Sequence, residues 1–172
     1  MTDHDRTPKR ASDSRVTLTQ MMEVTDANVG GNVHGGVIMR LVDTAAALAA
    51  IRHAGGLAVT VSLDEMTFRE PVHIGDVLTL HAAVNDVGTT SMECGVRVEA
   101  ENPITGGRVH AASAYLVFVA IDEDGRPRAV PSLLAQSETE QRRQREARLR
   151  RETRMAHKEA LKAARAAEGG SR

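Results

Sequence analysis

The segment GVIMRLVDTAAALAAIRHAGG, residues 36–56, constrains the fold more than any other part of the chain. Its apolar residues recur at helical spacing, alanines are dense, and Gly55 and Gly56 form a stop signal just beyond Arg52 and His53. A helix that is apolar around most of its circumference is normally buried on several sides. We therefore expect a sheet that wraps around this helix instead of meeting only one of its faces.

The rest of the ordered chain has the pattern of strands separated by turns. Residues 15–24 (RVTLTQMMEV) are rich in β-branched side chains, and four further runs cover about 57–69, 77–86, 89–101 and 107–122. One helix followed by consecutive hairpin-linked strands predicts an α+β fold with an antiparallel sheet, because parallel strands would need more crossover helices. Alternation in the third run predicts one shared face, formed by Leu78, Leu80, Ala82 and Val84.

Composition divides the chain into three parts. Residues 1–14 have few large apolar side chains and are expected to be a flexible arm, and residues 15–132 should form the folded domain. Residues 133–172 become a charged tail, with eleven basic and six acidic residues from 138 onward. Helix formers predict an exposed helix there, since Leu149, Met155 and Leu161 are too sparse for a heptad seam.

Charge and cysteine usage limit the class of protein. The 22 basic and 23 acidic residues nearly balance, so no specific nucleic-acid or membrane partner is predicted. Cys94 has no second cysteine to pair with and lies in a strand-like run, which favours a small core residue. A reducing cytoplasm fits best, and no run approaches the roughly 20 apolar residues that span a bilayer.

Asp43 is the most informative polar residue, because its helical neighbours Met39, Ala46 and Ala47 are all apolar. A carboxylate on such a face needs a hydrogen-bonding partner or a wet site. From periodicity alone, a structural aspartate between helix and sheet is as plausible as a functional one. Before the helix, the free N–H groups of Gly35, Gly36 and Val37 would form an electropositive end able to stabilise an oxyanion.

Several ordered blocks resemble one family, the hotdog-fold acyl-CoA thioesterases of the cytosolic long-chain acyl-CoA hydrolase and YciA-like branch. The blocks are NVHGGVIMRLVD (32–43), AVTVSLDEMTFREPVHIGD (58–76), GTTSM (88–92) and VAIDEDGRP (119–127). The resemblance extends from about residue 15 to 132. It implies a sheet wrapped around a central helix, hydrolysis of acyl-CoA to free acid and CoA, and self-association as a homodimer, typically as a trimer of dimers with sites between subunits.

The resemblance also assigns residues. It implies catalytic roles for Asp43 and Asn32, which stand at the matching positions of helix and loop. It places Thr90 and Ser91 near coenzyme A, although a tight turn capped by hydroxyls accounts for either residue equally well. The reaction needs no cofactor, because coenzyme A is part of the substrate.

The remaining candidates are basic side chains. Arg69, Arg126 and Arg128 are candidates for binding the CoA phosphates, although exposed arginines are common. His34 lies among the loop glycines and is expected to position the substrate, since no cysteine or nearby serine completes a nucleophilic triad. The other histidines are scattered and predict no metal site.

Two alternatives compete with hydrolysis. A hotdog dehydratase would act on hydroxyacyl-CoA, but no Asp/His pair resembles that branch. A noncatalytic acyl-CoA-binding regulator or scaffold would keep the ligand groove without turnover, and the basic tail gives it some support.

Overall fold

The computed structural model describes residues 7–169, with side chains through residue 166. In chain order the elements are β1 (Lys9–Arg10), a 3-10 turn (Ala11–Ser14), β2 (Val16–Met21), a second 3-10 turn (Val24–Asp26), α1 (Gly35–Ala54), β3 (Ala58–Phe68), β4 (Val77–Val87), β5 (Ser91–Glu101), β6 (Arg108–Ala120), β7 (Leu133–Leu134) and α2 (Glu138–Gly169). The predicted helix and five predicted strands are all present. The α+β class is therefore confirmed.

Strands β2 to β6 form one antiparallel sheet in the order β2-β4-β5-β6-β3. The predicted face of β4 is buried, and its four residues are at most 3% exposed. Its neighbours across the ladders continue the same apolar layer, so this inner face packs against α1. The expectation that a sheet encloses the helix is confirmed.

Alanines line the part of α1 that lies deepest in this layer. Ala45, Ala46, Ala49 and Ala50 are fully buried. Small side chains let the sheet approach the helix closely on several sides. The helix ends where predicted, because Gly55 adopts a left-handed conformation (φ 65°) and its N–H donates to the Ile51 carbonyl at 2.9 Å.

Two cations complete the C-terminal end of α1. Lys9 Nζ donates to the carbonyls of Arg52 and His53, at 3.2 and 3.0 Å. Arg128 Nη2 donates to the Ala54 carbonyl at 3.0 Å. Cations at this end satisfy otherwise free carbonyls and complement the helix dipole.

The expectation of a flexible N-terminal arm is wrong for the described part of it, residues 7–14; residues 1–6 lie outside the described residues. Strand β1 pairs in parallel with β7, and Ser14 is buried, accepting from the Val84 N–H at 3.1 Å. Polar contacts order this segment, and such contacts leave no pattern of large apolar residues in the sequence. The predicted domain boundary at residue 132 separates β7 from β1, although these two strands pair with each other.

The charged tail forms the predicted helix, α2, but the expectation of a solvated helix holds for only part of it. Residues 155–166 are all exposed. The preceding residues lie on the outer face of the sheet, the face opposite α1, where Ala147 is buried and several arginines meet carboxylates. No helix in residues 7–169 has the length and apolarity needed to cross a membrane.

Candidate active site

Asp43 lies on α1 opposite the edge strand of the sheet. Its carboxylate is half-buried and its Oδ1 accepts a hydrogen bond from Thr60 Oγ1 at 2.7 Å. Thr60 belongs to β3, where the pairing with β6 is irregular between Thr60 and Ser62. Such a bulge re-aims side chains at a sheet edge. The contact therefore fixes one carboxylate oxygen, and the second makes no hydrogen bond within the described residues.

The loop before α1 is closed by its own polar groups. His34 is the N-cap residue: its Nδ1 accepts from the Gly36 N–H and its carbonyl accepts from the Val37 N–H, both at 2.9 Å. The expectation that the Gly36 and Val37 N–H groups are free for an oxyanion is therefore wrong in this structure. Among the predicted donors, Gly35 alone has an N–H without a protein acceptor in the described chain. His34 acts on the backbone through capping.

Two asparagines lie in this loop, and they differ in their contacts. The predicted residue, Asn32, is half-buried and its side chain makes no hydrogen bond within residues 7–169. Asn28 is also half-buried, and its Oδ1 accepts from the N–H groups of Gly30 and Asn32, at 2.8 and 3.3 Å. Its Nδ2 donates to the Val33 carbonyl at 3.5 Å. Asn28 thus shapes the loop that carries Asn32.

The predicted CoA-binding hydroxyls lie where β4 connects to β5, with Thr90 in the turn and Ser91 at the first position of β5. The Thr90 carbonyl accepts from the Ala120 N–H at 3.0 Å, and the Ser91 carbonyl accepts from the Gly88 N–H at 2.8 Å. Both hydroxyl groups are without a hydrogen-bond partner in the described structure. The backbone of this turn is fixed, and both side chains are half-buried.

The three predicted arginines have different surroundings. Arg69 is exposed directly after β3, and Arg126 is exposed beside Asp124, 3.5 Å away. Arg128 is occupied by the fold, because it donates from Nε to the Ile121 carbonyl at 3.2 Å as well as to the end of α1. The guanidinium of Arg128 therefore serves as a helix cap through Nε and Nη2, while its Nη1 is buried without a hydrogen-bond partner in the described residues. Binding of a CoA phosphate by Arg128 stays a prediction.

Thr60 and Asn28 were missed by the sequence reasoning. A threonine in a strand is ordinary, and only the register of β3 beside α1 brings Thr60 to Asp43. Asn28 precedes the glycine-rich loop and carried no signal of its own. Cys94 is fully buried, and burial raises the pKa of its thiol, so its assignment to the core is confirmed. No cluster of three potential metal ligands occurs in residues 7–169.

Comparison with known proteins identifies the family. The thioesterase superfamily model matches residues 30–106. The uncharacterized acyl-CoA thioester hydrolase YkhA of Bacillus subtilis is 37% identical over 128 residues, which are 74% of either chain. The mouse cytosolic acyl coenzyme A thioester hydrolase is 33% identical over 138 residues, 79% of this chain, and this chain spans only 36% of that relative's length.

Solved structures agree with the sequence matches. An acyl-CoA hydrolase from Staphylococcus aureus, in complex with butyryl-CoA, CoA and CoA disulfide, superposes with a TM-score of 0.84 at 31% identity, covering 95% of this chain and 99% of that one. Variants of that enzyme that replace its Asp43, Asn28 or Thr60 by alanine have also been solved. A hexameric acyl-CoA thioesterase gives a TM-score of 0.85 at 36% identity, covering 88% and 97%. The chain therefore belongs to the acyl-CoA thioester hydrolases of the hotdog-fold thioesterase superfamily.

Proposed function

We propose that this thioester hydrolase cleaves acyl-CoA to free acid and CoA, with Asp43 as the catalytic carboxylate and Thr60 as the residue that orients it. The observation that carries the proposal is the 2.7 Å hydrogen bond between Thr60 Oγ1 and Asp43 Oδ1 at the sheet edge. With one oxygen held by the hydroxyl, the other is available to water or to a carbonyl carbon. A positioned carboxylate of this kind can act as a general base or as a nucleophile.

The numbering of the Staphylococcus aureus variants supports the same set of residues. Asn28, Asp43 and Thr60 of that enzyme were each replaced by alanine, and this chain has the same residue types at the same numbers. The intervals along the chain are therefore identical. They support Asn28 as the active-site asparagine. Asn32, four positions later, is the alternative candidate, which the sequence predicted.

The chemistry follows from the position of α1. Asp43 lies eight residues along α1 from Gly35, which is about 12 Å. A thioester carbonyl beside Asp43 would therefore accept from the Gly35 N–H of a second subunit and experience the positive end of that subunit's helix dipole. Water attacks the polarised carbon while Asp43 takes its proton, or the carboxylate attacks and water then hydrolyses the mixed anhydride. In both routes the C–S bond breaks, the acid is released, and the thiolate of CoA takes up a proton. Neither route requires a cofactor.

The proposed active enzyme is a homodimer joined through β3, and the hexameric relatives support a trimer of such dimers. Strand β3 is an edge strand, and its backbone N–H and C=O groups on the side away from β6 pair with no other strand of the described chain. Exposed apolar side chains accompany it, namely Val59, Val61 and Leu63, with exposures of 43%, 56% and 40%. A long apolar edge is a template for pairing with another chain. Because Thr60 lies on this strand, pairing would bring a second subunit beside Asp43.

Further parts of the proposal concern the CoA moiety and the compartment. The free hydroxyls of Thr90 and Ser91, and the exposed guanidinium groups of Arg69 and Arg126, are suited to bind its polar and phosphate groups. A cytoplasmic location is supported by the unpaired Cys94 and by the mouse relative, which is named cytosolic.

Thiol release from short-, medium- and long-chain acyl-CoAs tests the catalytic set. Asp43→Ala should lower kcat by at least about 100-fold, the lower range for loss of a positioned acid or base. Thr60→Val should lower kcat by about 10-fold, and Thr60→Ser, which keeps the hydroxyl, should recover most of it. Folding of each variant is checked by its thermal melting curve.

The two asparagines form a matched pair for the same assay. Asn28→Ala should reduce kcat by at least about 10-fold, because it removes the bonds that shape the loop and the Nδ2 hydrogen that remains for a substrate oxygen. Asn32→Ala should change kcat by less than about 3-fold. The reverse order would restore Asn32 as the site residue. Thiol release by folded Asp43→Ala at the wild-type rate would refute the proposed mechanism, and tight CoA binding without release by wild type would instead favour a noncatalytic regulator.

A further inference from the structure

Helix α2 crosses the outer face of the sheet in the spatial order of its strands. Near its start, Glu140 accepts from Arg15, the residue before β2, at 2.7 Å. Further along, Arg151 meets Asp86 of β4 at 3.1 Å, and Arg150 meets Glu93 of β5 at 2.6 Å. The path therefore proceeds from β2 towards the middle of the sheet.

The second part of the crossing reaches the opposite edge. The Arg150 guanidinium stacks over the ring of Tyr115 of β6, 3.6 Å from its centroid. Arg154 then forms an ion pair with Asp64 of β3. Since β3 is the edge strand, the last contact of α2 with its own sheet lies at the edge where the proposed dimer forms.

Beyond Arg154 the helix continues, and its basic face continues with it. We call residues 155–166 the distal segment. Lys158, Lys162 and Arg165 follow Arg154 at intervals of four, four and three residues, so all four lie on one side of the helix. The side that binds carboxylates of this sheet thus extends past the sheet edge. These three residues are exposed and make no ion pair in the described part of the chain.

The dimensions of the distal segment match a second sheet. At 1.5 Å per residue, twelve residues extend about 18 Å beyond Arg154. Neighbouring strands are about 4.8 Å apart, so this length reaches across three to four strands, beside the α2 helix that the second copy places on the same face. A helical segment of this length that packs on nothing is marginal in water. An acidic sheet surface directly beyond β3 would stabilise it.

We infer that the distal segment docks on the outer sheet face of a second copy of this chain, across the β3–β3 seam of the dimer. The inference rests on the proposed dimer, and it adds a contact on the face of the sheet opposite Asp43. A twofold axis places β3 of the second copy next to the seam, and its Asp64 is already paired with the Arg154 of that copy. Glu65 of β3 is exposed there, and it pairs with Tyr115, which identifies its side as the outer face. Lysines over this carboxylate are complementary in charge.

Truncation tests the contact. A variant that ends at Arg154 keeps every described ion pair between α2 and its own sheet, and a control that ends at Ala166 keeps the distal segment as well. Sedimentation velocity over a dilution series should give a dimer dissociation constant at least about 10-fold higher for the first variant. The control should stay within about 2-fold of the full chain. Because residues 155–166 are exposed in the protomer, neither variant should lose thermal stability as a monomer.

Zero-length crosslinking tests which chain the segment contacts. A carbodiimide joins lysine to carboxylate, and two co-expressed variants restrict the link to different chains: Glu65→Gln, and the double variant Lys158→Arg/Lys162→Arg. A peptide linking Glu65 to Lys158 or Lys162 should form in the co-expressed mixture and in neither variant alone.

Each outcome discriminates between the dimer and the docking contact. A full chain that stays monomeric at all concentrations overturns both. A dimer that is equally stable after truncation at Arg154, or a mixture without the crosslink, overturns the docking contact alone. Loss of hexamers with intact dimers would assign the distal segment to a contact between dimers and would also overturn the inference.

Discussion

The two faces of the sheet are covered by helices of opposite chemistry. On the inner face, α1 presents alanines and branched aliphatic side chains, and its contact with the strands is almost entirely apolar. On the outer face, α2 buries one apolar side chain among those described, that of Ala147, and meets the sheet mainly through arginines. Their partners Asp86 and Glu93 are 2% and 3% exposed.

This difference separates two sources of stability. Burial of apolar area drives the inner layer, and salt screens it little. The outer layer depends on ion pairs whose desolvation cost is large. Removing one partner of such a pair is therefore expected to destabilise the fold more than replacing both partners. The inner layer should therefore respond to changes of volume, whereas the outer layer should respond to changes that leave one charge alone.

The largest effect is expected from removing volume from the inner layer. Phe118 of β6 is fully buried between sheet and helix. Phe118→Ala should lower the free energy of unfolding by about 3–5 kcal/mol, since the cavity cannot collapse completely. Urea denaturation in low salt and in 1 M NaCl should give the same loss. A loss that depends strongly on salt would contradict the apolar description of this layer.

An intermediate effect is expected from leaving one charge unpaired in the outer layer. Arg150 donates to Glu93 from both Nε and Nη2, at 3.2 and 2.6 Å. Arg150→Met keeps a long apolar side chain over Tyr115 and leaves a buried carboxylate. It should lower the free energy of unfolding by about 3 kcal/mol, measured by urea denaturation.

Adding Glu93→Gln to Arg150→Met provides the control. If the unpaired charge causes the loss, the double variant should recover to within about 1 kcal/mol of wild type, because replacing both members of a buried pair is often nearly neutral. A double variant as unstable as Arg150→Met would mean that lost packing, not charge, dominates.

The inner layer was also the part that the sequence predicted well. Periodicity identified α1, its end at Gly55 and the buried face of β4, because burial on one face repeats along the sequence. The contacts of α2 with the outer face follow no such repeat along the sequence. Each arginine looks like a surface residue until its partner, such as Glu93 on a distant strand, is known to be buried. The same applies to residues 7–14, which are ordered by hydrogen bonds to α1 and to Val84.

The candidate site divides in a similar way. Asp43 could be identified because a carboxylate on an apolar helical face is costly without a partner. The partner itself, Thr60, depends on strand register and could not be read from the sequence. The capping role of Arg128 was missed for the same reason, since its acceptors lie at the end of α1 and at Ile121.

The smallest expected effect is a difference in pH response between the two layers. Burial lowers the pKa of His53, although Nε2 lies 2.9 Å from the Pro131 carbonyl. The unfolded chain, with a pKa near 6.5, then binds a proton before the folded chain does, so stability falls as pH drops below 6.5. In the outer layer, hydrogen bonds from Ser137 lower the pKa of Glu140 below 4.5, and its contribution is lost only at more acidic pH. One group changes the free energy of unfolding by at most about 1.4 kcal/mol per pH unit.

His53→Gln should reduce the change of melting temperature with pH between pH 7 and 5.5. The control His157→Gln, on the exposed distal segment, should leave that change as in wild type. An equal change of melting temperature with pH in all three proteins would exclude His53 as its source.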